Sequence, residues 1–97
     1  MPIRVIVELQ AKPGRRAEVM SLLESVAQKN GPRTAGFLGS TRYEVLDNAD
    51  MVVEIADWES AEVRAAAMQE VMATGAYEPL SEMLAAPFRA TAIRQVP

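Results

Sequence analysis

Glu54 and Trp58 stand four residues apart in MVVEIADW, the run from Met51 to Trp58. In a strand, side chains alternate, so both residues point to one side. An indole offers a flat apolar face to an aromatic ring and one N–H donor. A carboxylate in apolar surroundings resists ionisation and can serve as a general base toward a phenol. Each residue also has a plainer role open to it. Trp58 can plug the core where strand meets helix. Glu54 can pair with Arg42 or Arg4 on a neighbouring strand, an interaction worth about 0.2–1 kcal/mol.

Arg42, Tyr43 and Tyr77 are the other polar candidates. Tyr43 could donate to a carbonyl, and Arg42 could stabilise an anionic intermediate. They are adjacent, so at most one of them faces a given side of a regular strand. Tyr77 follows a helical stretch in a segment suited to a lid. Each is also an ordinary surface or interface residue. Met68 and Met72 are soft side chains at helical spacing, which reads as core filling before ligation.

What the chain lacks narrows the chemistry. It has no histidine, so the usual general base and the commonest metal ligand are both missing. No closely spaced acidic group of the EF-hand kind appears, and no metal site is expected. There is no cysteine, hence no disulfide or thiolate chemistry, which suits a cytoplasmic location. Ten basic residues are scattered among thirteen acidic ones for a net charge of −3. No basic cluster forms a nucleic-acid surface. No apolar run approaches the ~18 residues that a membrane span needs.

The 97 residues fit a single domain, 1–97. IRVIVELQ alternates as a strand, with Ile3, Val5, Val7 and Leu9 on one face and Arg4, Ile6, Glu8 and Gln10 on the other, and Lys12–Gly14 breaks it. A helix follows over about 15–29, with Val19, Met20, Leu23, Val26 and Ala27 as its apolar stripe. Gly31 suits its C-terminal cap. A second strand runs from about Phe37 to Leu46, a DNAD hairpin spans 47–50, and a third strand covers Met51–Trp58. Ser60 can cap a second helix striped by Val63, Ala67 and Val71 and flanked by Met68 and Met72. Pro79 opens a short helix. Phe88–Val96 reads as a last strand. The order predicts an α+β, ferredoxin-like split β-α-β sandwich, a four-stranded antiparallel sheet with helices on one face.

Ile6, Val53 and Ile55 fall on the face away from those helices. An uncovered apolar face marks an interface, and a second copy, sheet against sheet, is the simplest cover. We therefore expect a homodimer.

VELQAKPGRRAEVMSLL near the start, and AGFLGSTRYEVLDNADMVVEIADWES in the middle, resemble the antibiotic biosynthesis monooxygenase family of the dimeric α/β-barrel group. The resemblance covers about residues 3–93. It implies a ferredoxin-like monomer whose sheet pairs into a dimeric barrel, with no nucleic acid or membrane as partner. Some members oxidise phenolic polyketides or quinols with no metal or flavin, so the resemblance implies no cofactor. In characterised members the tryptophan matching Trp58 lines a cavity, and Glu54 falls where a cofactor-independent oxygenase of the family places an asparagine. A small aromatic or apolar ligand would lie against Val7, Tyr43, Trp58, Met68 and Tyr77, with Glu54 and Trp58 as the catalytic pair. Haem degraders of the group carry an asparagine near the position of Val7 and a ligating histidine. This chain has neither, so haem degradation is not expected. Two classes stay open: an oxygenase acting on a quinol or polyphenol, and a non-catalytic binding or accessory protein.

Overall fold

A computed structural model describes residues 2–30 and 35–97. The chain runs β1 (Ile3–Gln10), α1 (Arg16–Asn30), β2 (Phe37–Val45), β3 (Asn48–Trp58), α2 (Ala61–Ala73), α3 (Leu80–Met83) and β4 (Arg89–Ile93). The strands form one antiparallel sheet in the order β2-β3-β1-β4. Because β3 inserts between β1 and β2, the β1–α1–β2 unit is split, as the element order predicted. The helices cover one face. None of the described helices is long and apolar enough to cross a membrane.

Alternation along β1 sets the core. Ile3, Val5 and Leu9 are buried on the helix side, while Arg4, Ile6 and Glu8 face the other way. On α1 the buried residues are Val19, Leu23 and Val26, and Val19 is wholly enclosed. Val19 and Leu23 pack with Leu9, Val52, Leu80 and Leu84 in one cluster. A second cluster joins Ile3, Val5, Ala56, Trp58 and Ala67. The proposed cap at Gly31 lies outside the described residues.

The ends of β1 and β3 are tied to the loops. The Gly14 N–H donates to Asp50 Oδ1 at 3.1 Å, and the Lys12 N–H donates to the Met83 carbonyl at 2.8 Å. These bonds hold the turn before α1 and the end of α3 against the sheet. α2 begins as expected: Ser60 Oγ accepts from the Val63 N–H at 3.1 Å. That bond satisfies one of the free donors of its first turn.

Two boundaries and one side chain differ from the expectation. β3 starts at Asn48, three residues early, because Val45 pairs with Asn48 and only Leu46 and Asp47 make the turn. Asn48 then exchanges a 2.9 Å side-chain hydrogen bond with Gln10, which keeps it in the sheet. β4 stops at Ile93 rather than Val96, since β1 offers it partners only from Arg4 to Glu8. Met72 is 54% exposed and does not fill the core.

The start of β2 carries the least forgiving packing. Phe37 pairs with Trp58 and Gly39 with Asp57, so Leu38 is an extra, bulged residue, 55% exposed. Just before it, Gly36 has φ +83° and lies against Val63, and its carbonyl accepts from the Glu59 N–H at 2.8 Å. A Cβ there would collide with Val63 Cγ1. Gly39 also has a positive φ, but open space surrounds it. Gly36→Ala should therefore lower stability by about 1–3 kcal/mol more than Gly39→Ala, because both backbones are strained for a side chain but only Gly36 adds the collision. Urea unfolding of both variants measures it.

Candidate functional site

The inner faces of the sheet and of α2 do not close on each other. On β3 the helix-facing positions are Val52, Glu54, Ala56 and Trp58; on α2 they are Arg64, Ala67, Met68 and Val71. Ala67 is the only residue of α2 that is buried, and it packs with Ala56. Two alanines leave a gap where larger side chains would meet. The result is a cavity of about 120 Å³, partly open to solvent and mostly apolar in lining. An apolar cavity of ~150 Å³ admits benzene, so this one has the scale of a single aromatic ring.

Trp58 forms one end wall. Its ring packs edge-on against Phe37, with centroids 5.1 Å apart and planes at 62°. Trp58 thus both completes the second core cluster and lines the cavity, so the two roles open to it coexist. Glu54 points into the cavity from the middle of β3. Arg42, opposite it on β2, donates from Nε to Glu54 Oε2 at 3.0 Å. Their side chains are 19% and 20% exposed. The expected cross-strand pair is therefore present, and it sits inside the cavity. Glu54 Oε1 has no hydrogen-bond partner among the described residues.

Val7, Met68 and Tyr77 also line the cavity. Tyr77 packs at the Leu9–Val52 end. Burial pushes the Tyr77 phenol above its ordinary range; the negative charge of Glu54 adds to the rise and Arg42 offsets part of it. Tyr43 is elsewhere. It pairs with Val53 on the far face of the sheet and is 50% exposed, because the alternation that turns Arg42 inward turns Tyr43 outward. In this chain it does not reach the cavity.

The sequence reading missed Phe37, Ser40, Arg64 and Phe88, all of which line the cavity. Regular alternation would set Phe37 and Arg42 on opposite faces. The bulge at Leu38 resets the phase and brings both inside. Arg64 had a signal, since it shares the 64-67-68-71 stripe of α2. A charge on that stripe reads as a solvent-side residue unless a cavity is known to lie beneath it. Among the described residues, no group of three or more histidine, cysteine or carboxylate side chains could hold a metal ion.

The model of the family described as "antibiotic biosynthesis monooxygenase" matches residues 2–78. The chain belongs to that family. No curated protein matches it in sequence. Solved structures share its fold at low identity. A conserved protein from Methanosarcina mazei Go1 is 21% identical with a TM-score of 0.86, over 99% of this chain and 94% of that one. Rv0793 from Mycobacterium tuberculosis is 18% identical with a TM-score of 0.83, over 100% and 97%. A variant of SnoaB, a cofactor-independent oxygenase from Streptomyces nogalater, is 16% identical with a TM-score of 0.81, over 97% and 92%.

The raised Tyr77 phenol has a consequence for stability. Its neutral form is favoured in the folded state, so its contribution is complete below the unfolded value of about 10 and lost as pH rises through the folded one. Ultraviolet titration should show a phenol ionising above the ordinary range, and Tyr77→Phe should remove that late step. The urea midpoint of the unsubstituted protein should fall more steeply above pH ~10 than that of Tyr77→Phe.

Proposed function

We propose that the protein is a cofactor-independent monooxygenase that acts on a small, electron-rich aromatic, a quinol or polyphenol, bound between sheet and helices. Family membership and the likeness to SnoaB support the reaction class. The observation that carries the reading is the unpartnered Glu54 Oε1 in an apolar cavity beside Trp58. Glu54 takes the phenol proton through that oxygen. Arg42, already aligned on Oε2, offsets the negative charge that then lies in the cavity. A phenolate in apolar surroundings reduces dioxygen readily. Dioxygen bonds to a ring carbon, the O–O bond breaks, one oxygen atom stays on the ring as a carbonyl and the other leaves as water. The substrate supplies all four electrons. The protein's part is to bind the ring, take the proton and exclude bulk water.

A second reading rests on the same ion pair. Among the described residues Glu54 is the one carboxylate lining the cavity, and Arg42 already engages it. A base so engaged suits a protein that binds a small aromatic without transforming it.

We also propose that the outer face of the sheet pairs with a second copy. Ile6, Val53 and Ile55 lie together there, joined by Tyr43 and by Ile93, which is 41% exposed. The described helices leave this face bare, and the ion pair between Arg4 Nε and Asp57 Oδ1, at 2.9 Å, supplies a polar rim.

Two measurements follow. Oxygen uptake across a panel of hydroquinones and anthrones should depend on the protein, and Glu54→Gln should lower the turnover number by roughly 10²-fold. No protein-dependent uptake would favour the binding reading. Sedimentation at micromolar concentration should give twice the chain mass of 10.6 kDa, and Ile55→Lys should shift it toward the monomer.

A further inference from the structure

Charge in the cavity is not balanced. Arg42 and Glu54 neutralise each other at 3.0 Å. Arg64 lines the same cavity, half-buried, and its side chain has no ion pair or hydrogen bond among the described residues. One guanidinium charge is therefore uncompensated beside an apolar space of about 120 Å³. A partly desolvated cation without a counter-charge costs free energy that an anionic ligand would recover.

The positions of the polar groups set the order of the ligand's substituents along the cavity. Ala67 packs among Ile3, Ala56 and Trp58, and Arg64 lies one turn before it, so Arg64 stands at the Trp58 end. Helical side chains lean toward the helix N-terminus, which carries the guanidinium further that way. Glu54 lies four residues back along β3, roughly 13 Å of strand from Trp58. Tyr77 stands beyond it, with the Leu9–Val52 cluster. A cation at one end and a free carboxylate oxygen nearer the other thus flank a space the size of one ring, walled by the Trp58 indole.

We propose that the ligand is a single-ring aromatic carboxylate that carries a ring hydroxyl, with its carboxylate on Arg64 and its hydroxyl on Glu54 Oε1. The guanidinium fork matches a carboxylate through two parallel N–H donors. One uncompensated charge calls for a monoanion. A phosphate ester, with close to two negative charges, would leave an excess beside Glu54. The proposal rests on reading the cavity as the binding site for a small aromatic. It adds the anionic substituent and the residue that selects it.

The chain's single tryptophan lies in the cavity wall, so its fluorescence reports binding without turnover. Under anaerobic conditions, gentisate, a quinol with a ring carboxylate, should quench Trp58 at least ~10-fold more tightly than hydroquinone or methyl gentisate, which lack the charge. Arg64→Leu should bring the ratio of those affinities close to one, and Arg64→Lys should restore part of it. Circular dichroism of both variants checks that they fold. Equal affinities in the unsubstituted protein, a ratio unchanged in Arg64→Leu, or no quenching by any probe would overturn the proposal. Oxygen uptake, measured separately, distinguishes it from the oxygenase reading. Carboxylate preference without uptake leaves the ligand class standing and removes the reaction. Uptake without preference does the reverse.

Discussion

The second helix meets the sheet through alanine. Ala67 and Ala56 belong to one buried cluster, and they bring α2 and β3 together where the side chains are smallest. Beside these alanines the longer side chains of α2, Arg64 and Met68 among them, line the same space rather than filling it. Close packing would normally remove such a gap, because each missing methylene forfeits burial and dispersion energy. Here the gap is held open by restraints at the start of the helix. The Glu59 N–H bonds to the Gly36 carbonyl, Val63 lies against Gly36 where a Cβ cannot fit, and Ser60 caps the first turn. These contacts place α2 before its inner face has anything to pack on.

The polar pair inside the cavity is a poor choice for stability alone. An ion pair four-fifths buried loses much of its hydration, and two apolar residues of similar volume would serve stability as well or better. Arg42 and Glu54 are therefore a weak source of stability placed where an aromatic would lie. Glu54 gives one oxygen to Arg42 and leaves the other toward the space, and Tyr77 senses that charge. Arg64 adds a cation that nothing in the described chain answers. Fold stability gains little from any of the three. The proposed ligand, a ring with an acidic proton at one end and a negative charge at the other, would use all of them.

Most of the fold was legible because strand alternation and helix spacing are strong signals. The β1 pattern assigned both faces correctly, and the α1 stripe named Val19, Leu23 and Val26. The α2 stripe was legible as a stripe but misleading as a core, since period alone does not reveal a gap beneath a helix. The inward set of β2 was half legible. Alternation allowed only one of Arg42 and Tyr43 inside without saying which, and it could not show the bulge at Leu38 that brings Phe37 to the same side as Arg42. Hairpin chemistry in DNAD suggested four turn residues. The actual turn is Leu46–Asp47, because pairing of Val45 with Asn48 and the bond between Asn48 and Gln10 override local preference. Glu54 and Trp58 were found by parity and resemblance together. Arg64 was missed because a lone arginine in a helix ordinarily faces water.

A single strand carries both proposed roles. Odd positions of β3, Met51, Val53 and Ile55, build the bare outer face; even positions, Glu54, Ala56 and Trp58, build the cavity. Covering the outer face with a second copy would take water away from the back of the strand that holds Glu54. The interaction between two charges strengthens as the effective dielectric falls, and pairs near a protein surface feel a medium several-fold more polar than the interior. Pairing of the sheets would therefore strengthen the hold of Arg42 on Glu54 and the pull of Arg64 on a ligand carboxylate, with no change in the cavity's shape. In the proposed dimer the apolar outer face would thus bear on the electrostatics of the site as well as on the pairing of the two copies.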